Sequence, residues 1–351
     1  MAKDIGIYIG TYTRKSPADG IYYAKLDLDS GTLKDLKLAA RTPNPSFLVI
    51  HPNGKYLYAV GEMKGGFIRS FSIEPETGKL KKINQQPSGG KGPCHVSMDN
   101  DGKYLFAANY GSGSVAVFPV NQDGALKPAS SIVQHQGHSL TKRQKGPHAH
   151  SINLSRDGRF LYVADLGMDK IMIYKFDSNT GRLSSATPSC ATTKPGAGPR
   201  HLAFLNDNVI VINELNSTVT TFKRNPDSGS LTRIASVSTL PEGFKGKNAC
   251  AEIVICPGKQ YIYGSNRGHD SIIVFRINPD GTLEGVGYLD KGIDSPRHFN
   301  IDPSGKYCVV GNQESGSVKV FRIDEKTGVP GSEVSSVEVG KPICIKFYNI
   351  N

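Results

Sequence analysis

The chain has no run approaching the roughly 18 apolar residues of a membrane span, which excludes a helical integral membrane protein. Its start, MAKDIGIYIGTYT, lacks the apolar stretch of a signal peptide and reads as a strand. Six cysteines (Cys94, Cys190, Cys250, Cys256, Cys308, Cys344) form no CxxC pair and no zinc spacing. Four of them lie among apolar, strand-like residues and read as reduced core thiols, as expected of a cytoplasmic protein. A glycine-rich phosphate loop, a GxSxG elbow and a cysteine-nucleophile signature are also missing. No stretch keeps a long 3.6-residue apolar period, so helices should be scarce. No side-chain cluster has metal-ligand spacing, and neither metal nor cofactor is expected.

What remains is a chain of 351 residues, 38% hydrophobic, with 39 glycines and 21 prolines: enough apolar mass for a core, and many turns. The formal charge of +11 favours anionic partners. Lys and Arg are spread over the whole chain and form no stripe with aromatics, so a small anionic substrate is expected in place of nucleic acid or membrane. A monomer or weak homo-oligomer is the expected state.

Short Gly-x-Leu motifs recur at Gly31, Gly78, Gly124, Gly181, Gly229 and Gly281, with a degenerate seventh at Gly328. Between them runs one repeated order, seen plainly as PRHFNI, DPSGKYCVVGNQ, GSVKVFRI and DEKTG from Pro296. Each unit holds β-branched and aromatic runs of strand length separated by Asp/Asn-Gly or Pro-x-Gly turns, with a weaker fourth strand after the Gly-x-Leu. Four strands at a period near 48 residues predict a propeller blade. Six complete units are visible. The C-terminal KPICIKFYNI resembles an innermost strand, and the N-terminal IGIYIGTYT and GIYYAKLDL resemble second and third strands. The expected fold is therefore all-β: a seven-bladed β-propeller of four-stranded antiparallel blades, residues 1–351 in one domain, closed by N- and C-terminal strands sharing a blade.

One interval, Gly124 to Gly181, is longer than the rest. The excess is Gln134–His150, QHQGHSLTKRQKGPHAH, which holds four of the nine histidines together with Lys142, Arg143 and Lys145. A repeat lengthened with imidazoles and cations points to a site.

Aligning the units on the turn glycine sets two columns at one mouth of the central channel. The start of the innermost strand supplies Ser46, Cys94, His150, Arg200 and Arg297. The end of the second strand supplies Glu62, Tyr110, Leu166, Glu214, Arg267 and Gln313, with Tyr12 as counterpart. Just before these lie Asn109, Asp165, Asn213, Asn266 and Asn312, read as turn caps beside the channel. His95, His201 and His298 repeat in register as Pro-x-His and read as structural, bonding neighbouring blades. His148 and His150 depart from that register and read as functional. His135 and His138 are equally loop or site residues, and Arg143 is either a solvated loop cation or part of the site. The rim as a whole reads as an anion-binding cleft with acid and base groups.

At these residues the chain resembles the propeller-type lactonase family, which includes bacterial 6-phosphogluconolactonases and fungal carboxymuconate-lactonizing enzymes. The matching stretches are HQGHSLTKRQKGPHAHSINLSRDGRFLYVADLGMDKIMIYKF, GPRHLAF, NEL, GSNRGHDSIIVF and PRHFNIDPSGKYCVVGNQES, and the resemblance covers essentially the whole chain. FLNDNVIVINEL, without its turn glycine, and CPGKQ depart from the pattern. The resemblance implies His148, Arg200 and Glu214 as catalytic residues. Arg143, His150, Arg267 and Gln313 would form the surrounding pocket, with Arg297, Glu62 and Tyr110 added from the columns. It implies hydrolysis of 6-phospho-D-glucono-1,5-lactone: Arg200 polarises the carbonyl, His148 takes a proton from water, and Glu214 orients the imidazole or is itself the base. A carboxymuconate cycloisomerase and a non-catalytic binding scaffold are the alternatives.

Overall fold

The computed structural model describes residues 4–258 and 260–349, and among these no residue is helical. Twenty-eight strands form seven four-stranded antiparallel sheets, each a blade whose strands run outward in chain order. Blade 1 is the composite one: Pro342–Tyr348 is innermost and pairs with Asp4–Thr11, followed by Gly20–Asp27 and Leu33–Arg41. Blades 2 to 7 begin with the inner strands Leu48–Ile50, Pro93–Met98, Ala149–Leu154, Pro199–Leu205, Ala249–Ile255 and Pro296–Ile301. The expected seven-bladed ring with a shared terminal blade is what the chain forms.

Strand composition explains the layering. Second strands such as Tyr104–Asn109 and Phe160–Asp165 are buried at every position because neighbouring blades cover both faces. Outermost strands such as Leu80–Pro87 alternate between partly buried and exposed residues and carry the polar surface.

The Gly-x-Leu motif joins blades to one another. Gly124 (φ 80°) and Gly229 (φ 74°) sit in the left-handed region that favours glycine. A Cβ on Gly229 would lie 2.4–2.7 Å from the Phe160 ring of blade 4, and one on Gly124 would meet Tyr56 of blade 2 at similar distances. The hydroxyls of Tyr58 and Tyr162 donate to the carbonyls of these same glycines, at 3.1 and 2.8 Å. Each turn thus seats on the aromatic edge of the preceding blade. In blade 5, Asn206 (φ 53°) takes the left-handed position of the inner turn that lacks glycine.

The long segment before blade 4 is fastened along its length. His135 Nδ1 lies 2.6 Å from Asp165 Oδ2, with no side-chain exposure on either partner. Ser139 Oγ donates to Asp169 Oδ2 at 2.5 Å, and the buried Gln144 amide donates to the Leu166 carbonyl and Asp169 Oδ1, both at 2.8 Å. His135 is therefore an internal clasp, whereas His138 and Leu140 are exposed. All six cysteines are free and five are buried.

Candidate active site

The two expected columns meet at one mouth because the backbone bulges there. In blades 3, 4, 5 and 7 the pairing of first and second strands skips one residue: Cys94, His150, Arg200 and Arg297. A bulged residue escapes the ladder and its side chain is re-aimed. Here the escape turns these side chains into the channel.

Cys94, His150 and Arg297 form the wall of a cleft of about 280 Å³, shared with Glu62, Tyr110, Arg143, Glu214, Ala249 and Arg267. Seven of the ten expected site residues line it. Arg200 lies beneath, in the wall of a smaller chamber. His148 and Gln313 line neither space.

Glu214 organises the cations. Arg143 Nη1 donates to its Oε1 at 2.7 Å, while Arg200 Nε and Arg267 Nη2 each lie 3.2 Å from Oε2. Burial raises the carboxyl's proton affinity, but Arg267, Arg200 and Arg143 outweigh it and hold the group at about 2. Two of these arginines are also tied to backbone. Arg200 Nη1 donates to the Ala251 carbonyl at 2.6 Å, and Arg267 donates to the carbonyls of Ala249 and Cys250 at 3.2 and 2.9 Å. Burial disfavours the charge on both, and Glu214 counters it. Arg143 is half exposed and its Nη2 donates to the Tyr110 hydroxyl at 3.2 Å.

Opposite them, Arg297 lies over the Tyr12 ring at 5.4 Å, and the Tyr12 hydroxyl donates to Glu62 at 3.0 Å. Arg297 is partly buried, which disfavours its charge, yet Tyr12, Glu62 and Glu214 outweigh this and favour its charged form. The cleft and the chamber beneath it therefore present four guanidinium groups against the two carboxylates of Glu62 and Glu214, an excess of positive charge in a partly dry space. Cys94, at the floor, has its thiol pushed up by burial, which disfavours the thiolate form.

The structure places the two expected functional histidines differently. His150 is buried, lines the cleft and is held neutral by burial and by Arg200. The His148 ring stacks on Tyr110 at 4.4 Å and 14°, with Nδ1 2.8 Å from the Tyr110 carbonyl, and its backbone N–H donates to Asp165 Oδ1. It fixes Tyr110, which in turn receives Arg143. Gln313 donates to Glu314 at 2.6 Å, outside the cleft lining.

The asparagine column ties each blade to the segment that leaves the outermost strand of the preceding one. Asn109, Asn266 and Asn312 donate to the carbonyls of Ser88, Thr239 and Gly292, at 2.9–3.1 Å. One carboxylate escaped the sequence reading. Glu252 is buried and contacts His201 and His298, at 3.0 and 3.2 Å. Its backbone N–H faces Ser265, which puts it in register with His95, His201 and His298. A carboxylate at the Pro-x-His position was the available signal.

Comparison with known proteins agrees with this fold. The family model described as "Lactonase, 7-bladed beta-propeller" matches residues 6–347. The 6-phosphogluconolactonase of Bacillus subtilis is 36% identical, covering 99% of both chains. That of Formosa agariphila is 34% identical over 92% of this chain and 93% of its own. A solved periplasmic gluconolactonase of Pseudomonas aeruginosa superposes with a TM-score of 0.94 at 32% identity, over 99% of this chain and 100% of that one. The chain belongs to the seven-bladed β-propeller lactonase family.

Proposed function

We propose that this protein hydrolyses a sugar lactone bearing an anionic group, with 6-phospho-D-glucono-1,5-lactone as the substrate of choice. The observation that carries this reading is the convergence of Arg143, Arg200, Arg267 and Arg297 on a cleft of about 280 Å³ and its floor. That volume suits one sugar phosphate, and paired guanidinium groups bind phosphate in a way lysines do not.

Arg143, Arg267 and Arg297 would hold the phosphate and hydroxyls. Arg200, fixed by Ala251 and Glu214, would face the oxygen on which charge develops as water attacks. A carboxyl held at about 2 is a weak base, so Glu214 anchors the arginines and leaves proton transfer to an imidazole. His148 supports the site through Tyr110. The free cysteines favour a reducing compartment, the cytoplasm, although the Pseudomonas relative is periplasmic.

The test is direct. Purified protein should speed the decay of freshly prepared 6-phosphogluconolactone, with phosphogluconate dehydrogenase reporting the product. A rate no faster than spontaneous hydrolysis ends the proposal. The same arginines suit a tricarboxylate, so loss of carboxymuconate ultraviolet absorbance in a parallel cuvette would favour the cycloisomerase instead.

A further inference from the structure

Below the cleft the channel narrows to a chamber of about 10 Å³, room for one water molecule. Glu62, Cys94 and Arg297 line both spaces, so the chamber adjoins the cleft. Its wall also contains Arg200, His201 and Ser46. Three fully buried polar atoms there, Ser46 Oγ, Arg200 Nε and His201 Nε2, have no hydrogen-bond partner, although Arg200 Nε faces the Glu214 carboxylate at 3.2 Å. A buried polar atom is rarely left so without a ligand to meet it.

Hydrogen bonding distinguishes His201 from the other histidines of its ring. In His298, Nδ1 accepts from the Ile345 N–H at 3.3 Å, which leaves the proton on Nε2, 3.2 Å from Glu252. In His95, Nδ1 likewise faces the Ile152 N–H, at 3.4 Å. In His201 the order is reversed. Its Nδ1 lies 3.0 Å from both Glu252 oxygens and carries the proton, and Nε2 keeps a lone pair. Burial and the Arg200 charge hold this ring neutral. His150, by contrast, has only the Cys94 thiol at 3.9 Å on its Nδ1, and no carboxylate behind it among the described residues.

We propose that His201, oriented by Glu252, accepts the proton of the water that attacks the lactone carbonyl, and that the chamber holds this water. The proposal rests on the lactonase reading. As the water oxygen bonds to the carbonyl carbon, its proton passes to His201 Nε2 and the C=O electron pair moves onto the oxygen beside Arg200. The tetrahedral intermediate then expels the ring oxygen, which takes the proton back from the imidazolium. The product is an open-chain hydroxy acid whose carboxyl proton leaves to solvent. Glu252 is a positioning residue: it sets the tautomer and steadies the transient imidazolium.

Glu252→Gln separates this role from a structural one. The amide carbonyl would accept from His298, and the amide NH2 would donate to His201 Nδ1, moving the His201 proton to Nε2. The kcat should fall 10²–10⁴-fold, on the order of losing a positioned base, with KM within about threefold of wild type. Nitrogen-15 NMR of the wild-type histidine rings should show His201 protonated on Nδ1 and His298 on Nε2. An active wild type whose Glu252→Gln variant keeps kcat within about threefold overturns the proposal. So does a wild-type His201 protonated on Nε2, a result independent of whether the variant folds. A wild type without lactonase activity removes the underlying reading as well.

Discussion

Replacing Glu214 with glutamine tests the electrostatics of the cleft through stability, without any assay of chemistry. The carboxyl is buried and held at about 2 in place of its usual 4.5. At about 1.4 kcal/mol per tenfold change in proton affinity, that depression corresponds to about 3 kcal/mol of preference for the folded state. Because the folded value is the lower one, this contribution is complete above pH 4.5 and is lost as pH falls through about 2. Urea titrations of wild type and Glu214→Gln should therefore differ by about 3 kcal/mol at pH 7. The gap should close by about 1.4 kcal/mol for each pH step below the unfolded value. An amide facing three guanidinium groups adds a constant offset, so the slope is the diagnostic quantity. A gap that stays the same from pH 7 to pH 3 would refute the assignment of Glu214 as the ionised anchor of Arg143, Arg200 and Arg267.

Three further outcomes are expected. Arg200→Lys should lower kcat by about 10²–10³-fold, since an ammonium has no planar fork to serve the Ala251 carbonyl, Glu214 and a substrate oxygen together; near-normal turnover would exclude Arg200 from the reacting centre. Gly158→Ala, at φ 71° with open space around it, should cost about 1 kcal/mol, whereas Gly229→Ala, at nearly the same φ but against Phe160, should cost about 3 kcal/mol or more; equal losses in denaturant midpoints would deny the inter-blade seat. His135→Ala should leave Asp165 Oδ2 unpaired, destabilise by about 2–3 kcal/mol and raise amide exchange across 136–146; unchanged exchange would show that the clasp does not hold the loop.

The ring was legible because its signals are local and repeated. Turn glycines, strand-length apolar runs and the two incomplete terminal units each constrain the blade count separately, so an irregular turn such as that at Asn206 does not disturb it. The rim columns were legible for the same reason: register carries Tyr110, Glu214, Arg267 and Arg297 to one mouth. The bulges were not, since nothing in a Pro-x-His triplet announces that the middle residue leaves the ladder. The contacts of His148, with a backbone carbonyl and a ring from another blade, were not legible either, since no spacing encodes them. Glu252 was overlooked because AEIVIC reads as an apolar strand, and only pairing places its carboxylate among the histidines.

The composite blade also has a kinetic consequence. The bonds between Asp4–Thr11 and Pro342–Tyr348 join residues at nearly the greatest separation the chain allows, so they carry the largest loop-closure penalty in the molecule. Until they form, Asp4–Thr11 is an open edge that a second chain can occupy. The cleft shares that delay, because Tyr12, which follows this strand directly and bonds Glu62 of blade 2, meets Arg297 of blade 7 only across the seam. Ring closure and completion of the anion-binding wall are therefore one late event, and an unclosed intermediate is both aggregation-prone and without a finished site.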